Sequence, residues 1–222
     1  MCSRYYIDDH TLDEVSGLLV DRRSAGLKWT AGDVHPGEMA PIIMKKNTGL
    51  QLDEMKWGFP QYTGKGLFIN ARAETALQKK TFSESILHRR CVIPARHFYE
   101  WDASKNKVSF LRESGSVLYM AGFFNMMQDE IRFVILTTQA NPSVLPVEDM
   151  PPHIRSAAGR ADNNRSASRL VGAHDRMPLI LEKDDVEKWI LDSEQTQDFL
   201  QKIPVSLQRT QEYEQQSLFG MI

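Results

Sequence analysis

The chain has 222 residues, of which 41% are hydrophobic and 25% are charged. These proportions are typical of a globular protein with a substantial core. The formal net charge of −2 argues against a protein that coats nucleic acid by charge alone. No basic leader precedes an apolar run, and no apolar stretch approaches about 18 residues, so we expect neither secretion nor a membrane span.

The predicted elements begin with a helix that runs to about Arg22. Its start is indicated by the capping-box pattern Thr11–Glu14, which is followed by apolar residues on one helical face. Residues 32–37 are predicted to form a loop. Residues 40–58 are predicted to form a hairpin around the turn signal Asn47–Gly49.

The rest of the chain is predicted to contain more strands, with further helices towards the carboxyl end. The predicted elements are a helix at 81–90, a strand at 91–94, a hairpin of 108–112 with 117–124, strands at 131–138 and 179–181, and helices at 184–191 and 192–203. Residues 146–172 have poor apolar periodicity and are predicted to be a long inserted loop. This arrangement is typical of an α+β fold rather than of a regular βαβ alternation.

The chain contains two cysteines, Cys2 and Cys91, whose positions match no metal-ligand spacing. One of them lies at the extreme amino terminus, which argues against a structural disulfide. We therefore expect a reducing, cytoplasmic compartment.

Cys2 directly follows Met1, and methionine is commonly removed when the next side chain is small. Removal leaves an amine and a thiol on adjacent carbons, and in unfolded peptides such groups have pKa values of about 8 and about 8.5. Such a pair can capture an aldehyde, because the amine forms an imine and the sulfur then closes a thiazolidine. Alternatively, the thiol attacks a carbonyl while the amine serves as its base. The competing interpretation is a frayed terminus without function.

Three other stretches place reactive polar groups in apolar or turn contexts. Asn70 follows two apolar residues, so it is either an inward-facing amide that holds a substrate oxygen or a turn cap. Glu100 lies among aromatic residues, where burial would raise its pKa and suit it to proton transfer. The alternative for Glu100 is a solvent-facing position on an edge strand. His174 precedes a short strand and is either a proton shuttle or a surface residue.

These residues belong to a set of motifs that closely resembles the SRAP family (SOS-response-associated peptidases). The match runs in order across nearly the whole chain and is therefore more specific than any single motif. The motifs are Cys2, Trp57-Gly58, Asn70–Glu74, Phe98–Trp101, Thr137–Asn141 and His174–Pro178.

The resemblance implies a single α+β domain over residues 1–222, in which mixed and antiparallel sheets form a barrel-like core with flanking helices. Members of this family process their own amino terminus to expose cysteine, bind single-stranded DNA and attach covalently to abasic sites. We accordingly expect a monomer without metal or cofactor that is associated with the nucleoid when it is bound to DNA. Weak lyase activity is a corollary, because imine chemistry at an abasic site also drives β-elimination.

The resemblance also assigns catalytic roles to four residues. Cys2 is the nucleophile and crosslinking residue, after autoproteolytic or aminopeptidase removal of Met1. Asn70 positions the amino terminus and the sugar oxygen, and Glu100 donates or accepts a proton during imine formation. His174 assists opening of the sugar ring and proton transfer.

Four more residues are expected to bind DNA. Arg4 and Arg72 are expected to contact phosphates, since arginine pairs with phosphate through a bidentate fork. Trp57 is expected to stack or wedge beside the damaged position, joined by Pro36. The alternative for Trp57 is a core tryptophan before a glycine turn.

Two features depart from the family pattern. Ser3 stands where the family usually has glycine, a residue that permits tight turns. The basic stretch 143–173 is longer than is usual between the corresponding family motifs, and it either extends the DNA surface or impedes closure of the site.

Two other functions compete with abasic-site capture. A cysteine peptidase or amidohydrolase would use Cys2 as its nucleophile, with His174 or Glu100 as the helper, and would show no preference for DNA. A non-enzymatic reader of nucleic acid would retain its DNA affinity after Cys2→Ala.

Overall fold

The structure, a computed structural model, describes residues 2–20, 27–47, 49–101, 107–140, 176–202 and 205–211. Met1, His174 and the predicted insert at 146–172 lie outside these ranges. Within them, no helix is long and apolar enough to cross a membrane.

Short helices and many strands make up the described part of the chain. The helices are α1 (Asp9–Ser16), α2 (Ala73–Ala76), α3 (Ser83–His88), α4 (Val186–Leu191) and α5 (Thr196–Leu200), with a 3-10 turn at Lys183–Asp185. The strands are β1 (Tyr5–Ile7), β2 (Gly32–Val34), β3 (Met39–Lys46), β4 (Gly49–Trp57), β5 (Phe59–Pro60), β6 (Leu67–Phe68), β7 (Asn70–Arg72), β8 (Arg90–Ala95), β9 (His97–Trp101), β10 (Lys107–Leu111), β11 (Leu118–Met127), β12 (Glu130–Gln139), β13 (Arg176–Pro178), β14 (Ile180–Leu181) and β15 (Gln208–Gln211).

A closed ring of strands forms the core of the fold. In the larger sheet the neighbours run β12-β4-β3-β8-β11, and β11 pairs with β12 to close the ring. Strand β7 adds to β12 in parallel, and β13 and β14 pair with β12 and β11. A second sheet has the order β15-β10-β9-β1-β2, and β5 pairs with β6 in a small hairpin. The predicted α+β class with a barrel-like core is confirmed.

Side chains of the ring strands alternate between two apolar clusters, as the two-residue period of a strand requires. One cluster packs against helices; its members include Val134 of β12 and Trp189 of α4. The other packs against the five-stranded sheet and includes Ile135 of β12, Phe98 of β9 and Cys2. The amino terminus therefore lies between the barrel and the second sheet.

Several predicted elements are confirmed. The hairpin at 40–58 corresponds to β3 and β4, the helix at 81–90 contains α3, and the strands at 91–94 and 131–138 lie within β8 and β12. The strand at 179–181 contains β14, while α4 and α5 are shorter than the predicted helices.

Other predictions of local structure were wrong. Residues 32–34 of the predicted loop at 32–37 form β2, and α1 ends at Ser16 rather than near Arg22. Helix α1 is capped by Asp8, which forms the capping box with Thr11, so Thr11 is the third helical residue rather than the cap. The segments 108–112 and 117–124 do not form a hairpin, because β10 and β11 belong to different sheets. The intervening turn carries the chain from one sheet to the other, and Arg96 binds the carbonyl of Gly115 there.

Trp57 lies entirely inside the core, with 0% exposure. Its ring packs on Tyr5 and Phe133 at centroid distances of 5.2 and 6.2 Å. Its Nε1 donates a hydrogen bond to the carbonyl oxygen of Ile69 over 3.0 Å. This position corrects the expectation that Trp57 stacks on DNA and agrees with the core alternative.

The backbone conformation at position 58 favours glycine directly after Trp57. The φ of Gly58, 103°, is in the left-handed region, and a Cβ atom there would lie 3.0 Å from Leu67. The chain can therefore turn tightly from β4 into the β5–β6 hairpin.

Replacing Trp57 with alanine is expected to lower the free energy of unfolding by about 3–5 kcal/mol, because it leaves a large cavity and an unpaired carbonyl. Urea denaturation measures the change. Tyr62→Ala is the matched control, since Tyr62 is 89% exposed and its loss should change stability by only about 0.5 kcal/mol. Equal midpoints for the Trp57 variant and the wild type would contradict the core position.

Candidate active site

Cys2 is buried although it lies next to the chain terminus. Its exposure is 0%, and its Sγ lies 3.7 Å from the carbonyl oxygen of Arg4. The Nδ2 of Asn70 donates a hydrogen bond to the carbonyl oxygen of Cys2 over 2.7 Å. The segment then enters β1, which pairs with β2 and β9. The structure therefore excludes a frayed position for Cys2.

Asn70 is held in place by the barrel. It lies on β7 opposite Ile135 of β12, so its backbone is fixed while its side chain reaches the amino-terminal segment. Its Oδ1 is buried and accepts no hydrogen bond from the residues that the structure describes. Such an unpaired buried acceptor costs about 1–3 kcal/mol, so the site has an unused acceptor for an amine or a hydroxyl. The turn-cap alternative does not apply.

Glu100 lies on β9, between β10 and β1, and is 3% exposed. The alternative of a solvent-facing residue on an edge strand is therefore excluded. Burial raises its pKa to about 7, against the opposing effect of the positive charge at the amino terminus. A carboxyl group with this pKa exchanges protons readily near neutrality.

The Cys2 thiol and the Glu100 carboxyl are electrostatically coupled. Burial is the main cause that raises the pKa of Cys2, and the negative charge of Glu100 raises it further. The thiol is therefore protonated at neutral pH and must lose its proton to react. Glu100 is the nearby group that can accept it.

Arg4 lies beside this pocket and is held by an acid and two aromatic rings. Its guanidinium lies 3.5 Å from Asp33 and faces the rings of Trp101 and Tyr99 at 5.5 and 5.9 Å. The hydroxyl of Tyr99 in turn donates to Asp33 over 3.0 Å. Part of the Arg4 side chain stays exposed, so it remains a candidate for contact with a phosphate.

The other predicted DNA contacts lie at the surface nearby. Arg72 is exposed at the end of β7, two residues after Asn70. Pro36 is half-buried in the turn between β2 and β3, where the amide of Gly37 bonds to the carbonyl of Trp57 over 2.8 Å. Pro36 and Arg72 thus remain candidates for DNA contact.

Tyr62, at the tip of the β5–β6 hairpin, was not predicted from the sequence as a candidate for binding DNA. Its side chain is 89% exposed, whereas the base of the hairpin is fixed by T-shaped packing of Phe59 on Phe123 and of Phe68 on Phe82. The signal was an aromatic residue in a turn rich in glycine and lysine, where a core role is not expected.

Arg176 was predicted only as part of a sequence motif. In the structure its guanidinium holds neighbouring elements together. It donates to both carboxylate oxygens of Glu74 over 2.8 and 2.9 Å, and to the carbonyl of Thr137 over 2.5 Å. These contacts join β13 to α2 and β12. His174, two residues earlier, is the one predicted catalytic residue outside the described ranges.

The described ranges contain no group of three or more His, Cys, Asp or Glu side chains that could hold a metal ion.

The family model described as SOS response associated peptidase (SRAP) matches residues 1–161. The chain belongs to the SRAP family.

Two relatives from Bacillus subtilis (strain 168) match most of this SRAP protein. Abasic site processing protein YobE is 24% identical over 216 residues, covering 91% of this chain and 88% of that protein. Abasic site processing protein YoaM is 26% identical over 218 residues, covering 91% and 85%. Abasic site processing protein YedK of Escherichia coli (strain K12) is 26% identical over 166 residues, covering 71% and 63%.

Solved structures share the fold of this SRAP protein. A crystal structure of a protein from Bordetella bronchiseptica has a TM-score of 0.68 at 24% identity, covering 96% of this chain and 100% of that one. One from Bacteroides thetaiotaomicron has a TM-score of 0.63 at 20% identity, covering 96% and 93%.

The buried Glu100 predicts a specific pH dependence of stability. Because its folded pKa of about 7 exceeds the ordinary value of 4.5 for a glutamate, the folded state binds the proton more tightly. The stabilisation is complete below pH 4.5 and is lost as the pH rises through about 7, by about 3 kcal/mol at most. Urea denaturation from about pH 4 to about pH 9 should show this loss in the wild type and not in Glu100→Gln. If the free energy of unfolding changed with pH in the same way in the wild type and in Glu100→Gln, the raised pKa of a buried Glu100 carboxyl would be contradicted.

Proposed function

We propose that this SRAP protein processes abasic sites in DNA by covalent capture through Cys2, after removal of Met1. The observation that carries this proposal is the anchored amino-terminal segment, in which Asn70 binds the Cys2 carbonyl beside the buried Glu100. The names of the bacterial relatives, which are abasic site processing proteins, support the substrate.

The chemistry begins once the Cys2 nitrogen is a free amine. This amine attacks the aldehyde carbon of the ring-opened sugar, and the hydroxyl group leaves as water when Glu100 supplies a proton, which gives a protonated imine that keeps one hydrogen on its nitrogen. The Cys2 sulfur then adds to the imine carbon. Its proton passes to the Glu100 carboxylate, and the product is a thiazolidine formed with the net loss of one water.

Each pocket group has a distinct part in this sequence. A pKa of about 7 lets Glu100 give and take a proton at neutral pH. The raised pKa of the Cys2 thiol keeps it protonated until the imine has formed. The free Oδ1 of Asn70 accepts a hydrogen bond from the amine or from a sugar hydroxyl. We propose that His174 assists opening of the sugar ring.

The DNA strand is proposed to be single, because an abasic sugar in a stacked duplex does not reach a buried thiol without leaving the helix. Arg4 and Arg72 would contact phosphates on either side of the pocket. Tyr62 takes the stacking role first assigned to Trp57, with Pro36 beside it. Stacking on such a ring tolerates any base sequence.

The same proposal includes four further properties: autoproteolytic removal of Met1, action as a monomer, weak lyase activity and association with the nucleoid.

A peptidase that acts on unrelated substrates has no structural feature of its own in its favour, because the same pocket residues serve both functions.

A single-stranded oligonucleotide with one abasic site should form a band that survives denaturation with the wild type. Cys2→Ala should abolish this band, since no thiol remains to close the ring. Cys91→Ala is the matched control, because Cys91 is equally buried on β8, and it should retain the band. A stable band from Cys2→Ala, or none from a wild type proved to begin at Cys2, would overturn the proposal.

Tyr62→Ala should weaken binding to single-stranded DNA about 5- to 100-fold, the effect of losing one stacked base. Tyr62→Phe keeps the ring and should bind as the wild type does. Fluorescence anisotropy with a labelled oligonucleotide measures both affinities. Equal affinities for the alanine variant and the wild type would remove Tyr62 from the DNA surface.

A further inference from the structure

A cavity lies between α2, the end of β12 and α5, apart from Cys2, Asn70 and Glu100. Its volume is about 720 Å³, which is within the usual range for small-molecule sites. Its polar lining consists of four glutamine amides, the hydroxyl of Thr138, and the charged side chains of Glu74 and Lys202. The glutamines are Gln78, Gln139, Gln197 and Gln201, and Leu77 and Leu200 contribute apolar surface.

The charges around the cavity are compensated. Glu74 is bound by both nitrogens of the Arg176 fork, and Lys202 pairs with Asp185. What remains for a ligand is a set of neutral amides, each of which offers two donors and an acceptor. All four glutamine side chains are exposed, so they can turn towards a ligand. The lining therefore suits a neutral ligand with both donors and acceptors.

The cavity is adjacent to the proposed path of the DNA. Helix α2 begins at Ala73, immediately after the exposed Arg72, and Ala73 also lines the cavity. Ala73 follows Asn70 by three steps along extended chain, which corresponds to about 10 Å. A stacked strand advances about 3.4 Å per nucleotide, so the cavity is within about three nucleotides of the captured sugar.

We propose that this cavity holds the base of a nucleotide that flanks the abasic site. The proposal rests on the DNA-binding function proposed above. A nucleobase is planar and neutral and carries donors and acceptors on its edge, which matches the glutamine amides. Its faces can pack on Leu77 and Leu200, while Arg72 holds the adjoining backbone.

The test compares strands that differ by one base. Each strand carries a tetrahydrofuran residue, a stable abasic analogue without an aldehyde, at the central position so that binding is reversible. In a series, a second tetrahydrofuran replaces one nucleotide at each of the three positions on either side. Fluorescence anisotropy gives the affinity of the intact protein for every strand. One position is expected to matter by about fivefold or more.

A double variant, Gln78→Ala with Gln201→Ala, assigns that position to the cavity. For the strand that keeps all flanking bases, the double variant should bind as weakly as the wild type binds the strand that lacks the sensitive base. Removing that base from the strand should not weaken binding by the double variant any further. Gln51→Ala on β4 is the control outside the cavity and should behave as the wild type does. Both cavity glutamines are exposed, and substitution of exposed residues is usually well tolerated. Circular dichroism checks that folding is preserved.

Two results would overturn the inference. One is a wild type that tolerates base removal at all of the flanking positions equally, and the other is a double variant that keeps the full sensitivity of the wild type. Failure of the proposed function is a separate outcome, because it appears as the absence of a Cys2-dependent crosslink with an aldehyde-bearing strand. Reversible binding to the analogue strands is read independently of that reaction.

Discussion

The hydrogen bond from the Asn70 amide to the Cys2 carbonyl is the interaction on which the site depends. Chain termini usually fray unless something ties them down. Here β7 is fixed to the barrel through β12, and its asparagine carries that rigidity to the second residue of the chain. The amine and thiol of Cys2 would otherwise sample many positions, whereas the proposed capture of a sugar needs one defined position.

Burial then sets the chemistry of the pocket. Excluding water raises the pKa of the Glu100 carboxyl towards neutrality and keeps the Cys2 thiol protonated. One low-dielectric environment thus produces both a proton exchanger and a nucleophile that reacts only when its proton can be taken. The nearby surface, with Arg4 held by Asp33 and aromatic rings, is polar and open, as a DNA contact requires.

The local patterns predicted the fold class and most strands, because hydrophobic alternation and turn residues act over short distances. They could not predict which sheet a strand joins, and β10 and β11 were wrongly paired for that reason. The local context of Asn70 and Glu100 suggested polar groups in apolar surroundings, and the resemblance to the SRAP family assigned both to the site. The structure brings both to Cys2. The sequence left the burial of individual aromatic residues open. Trp57 is a core residue and Tyr62 is exposed, although both occur near the same glycine-rich turn.

The most direct test is the rate at which intact-mass spectrometry detects the adduct between a Cys2-first protein and an abasic strand. The account predicts a mass equal to protein plus strand minus one water. It also predicts that Asn70→Ala slows formation about tenfold or more, since a lost buried hydrogen bond costs about 1–3 kcal/mol, while the variant remains folded. An Asn70→Ala protein that forms the same adduct as fast as the wild type would contradict the central role of the anchored terminus.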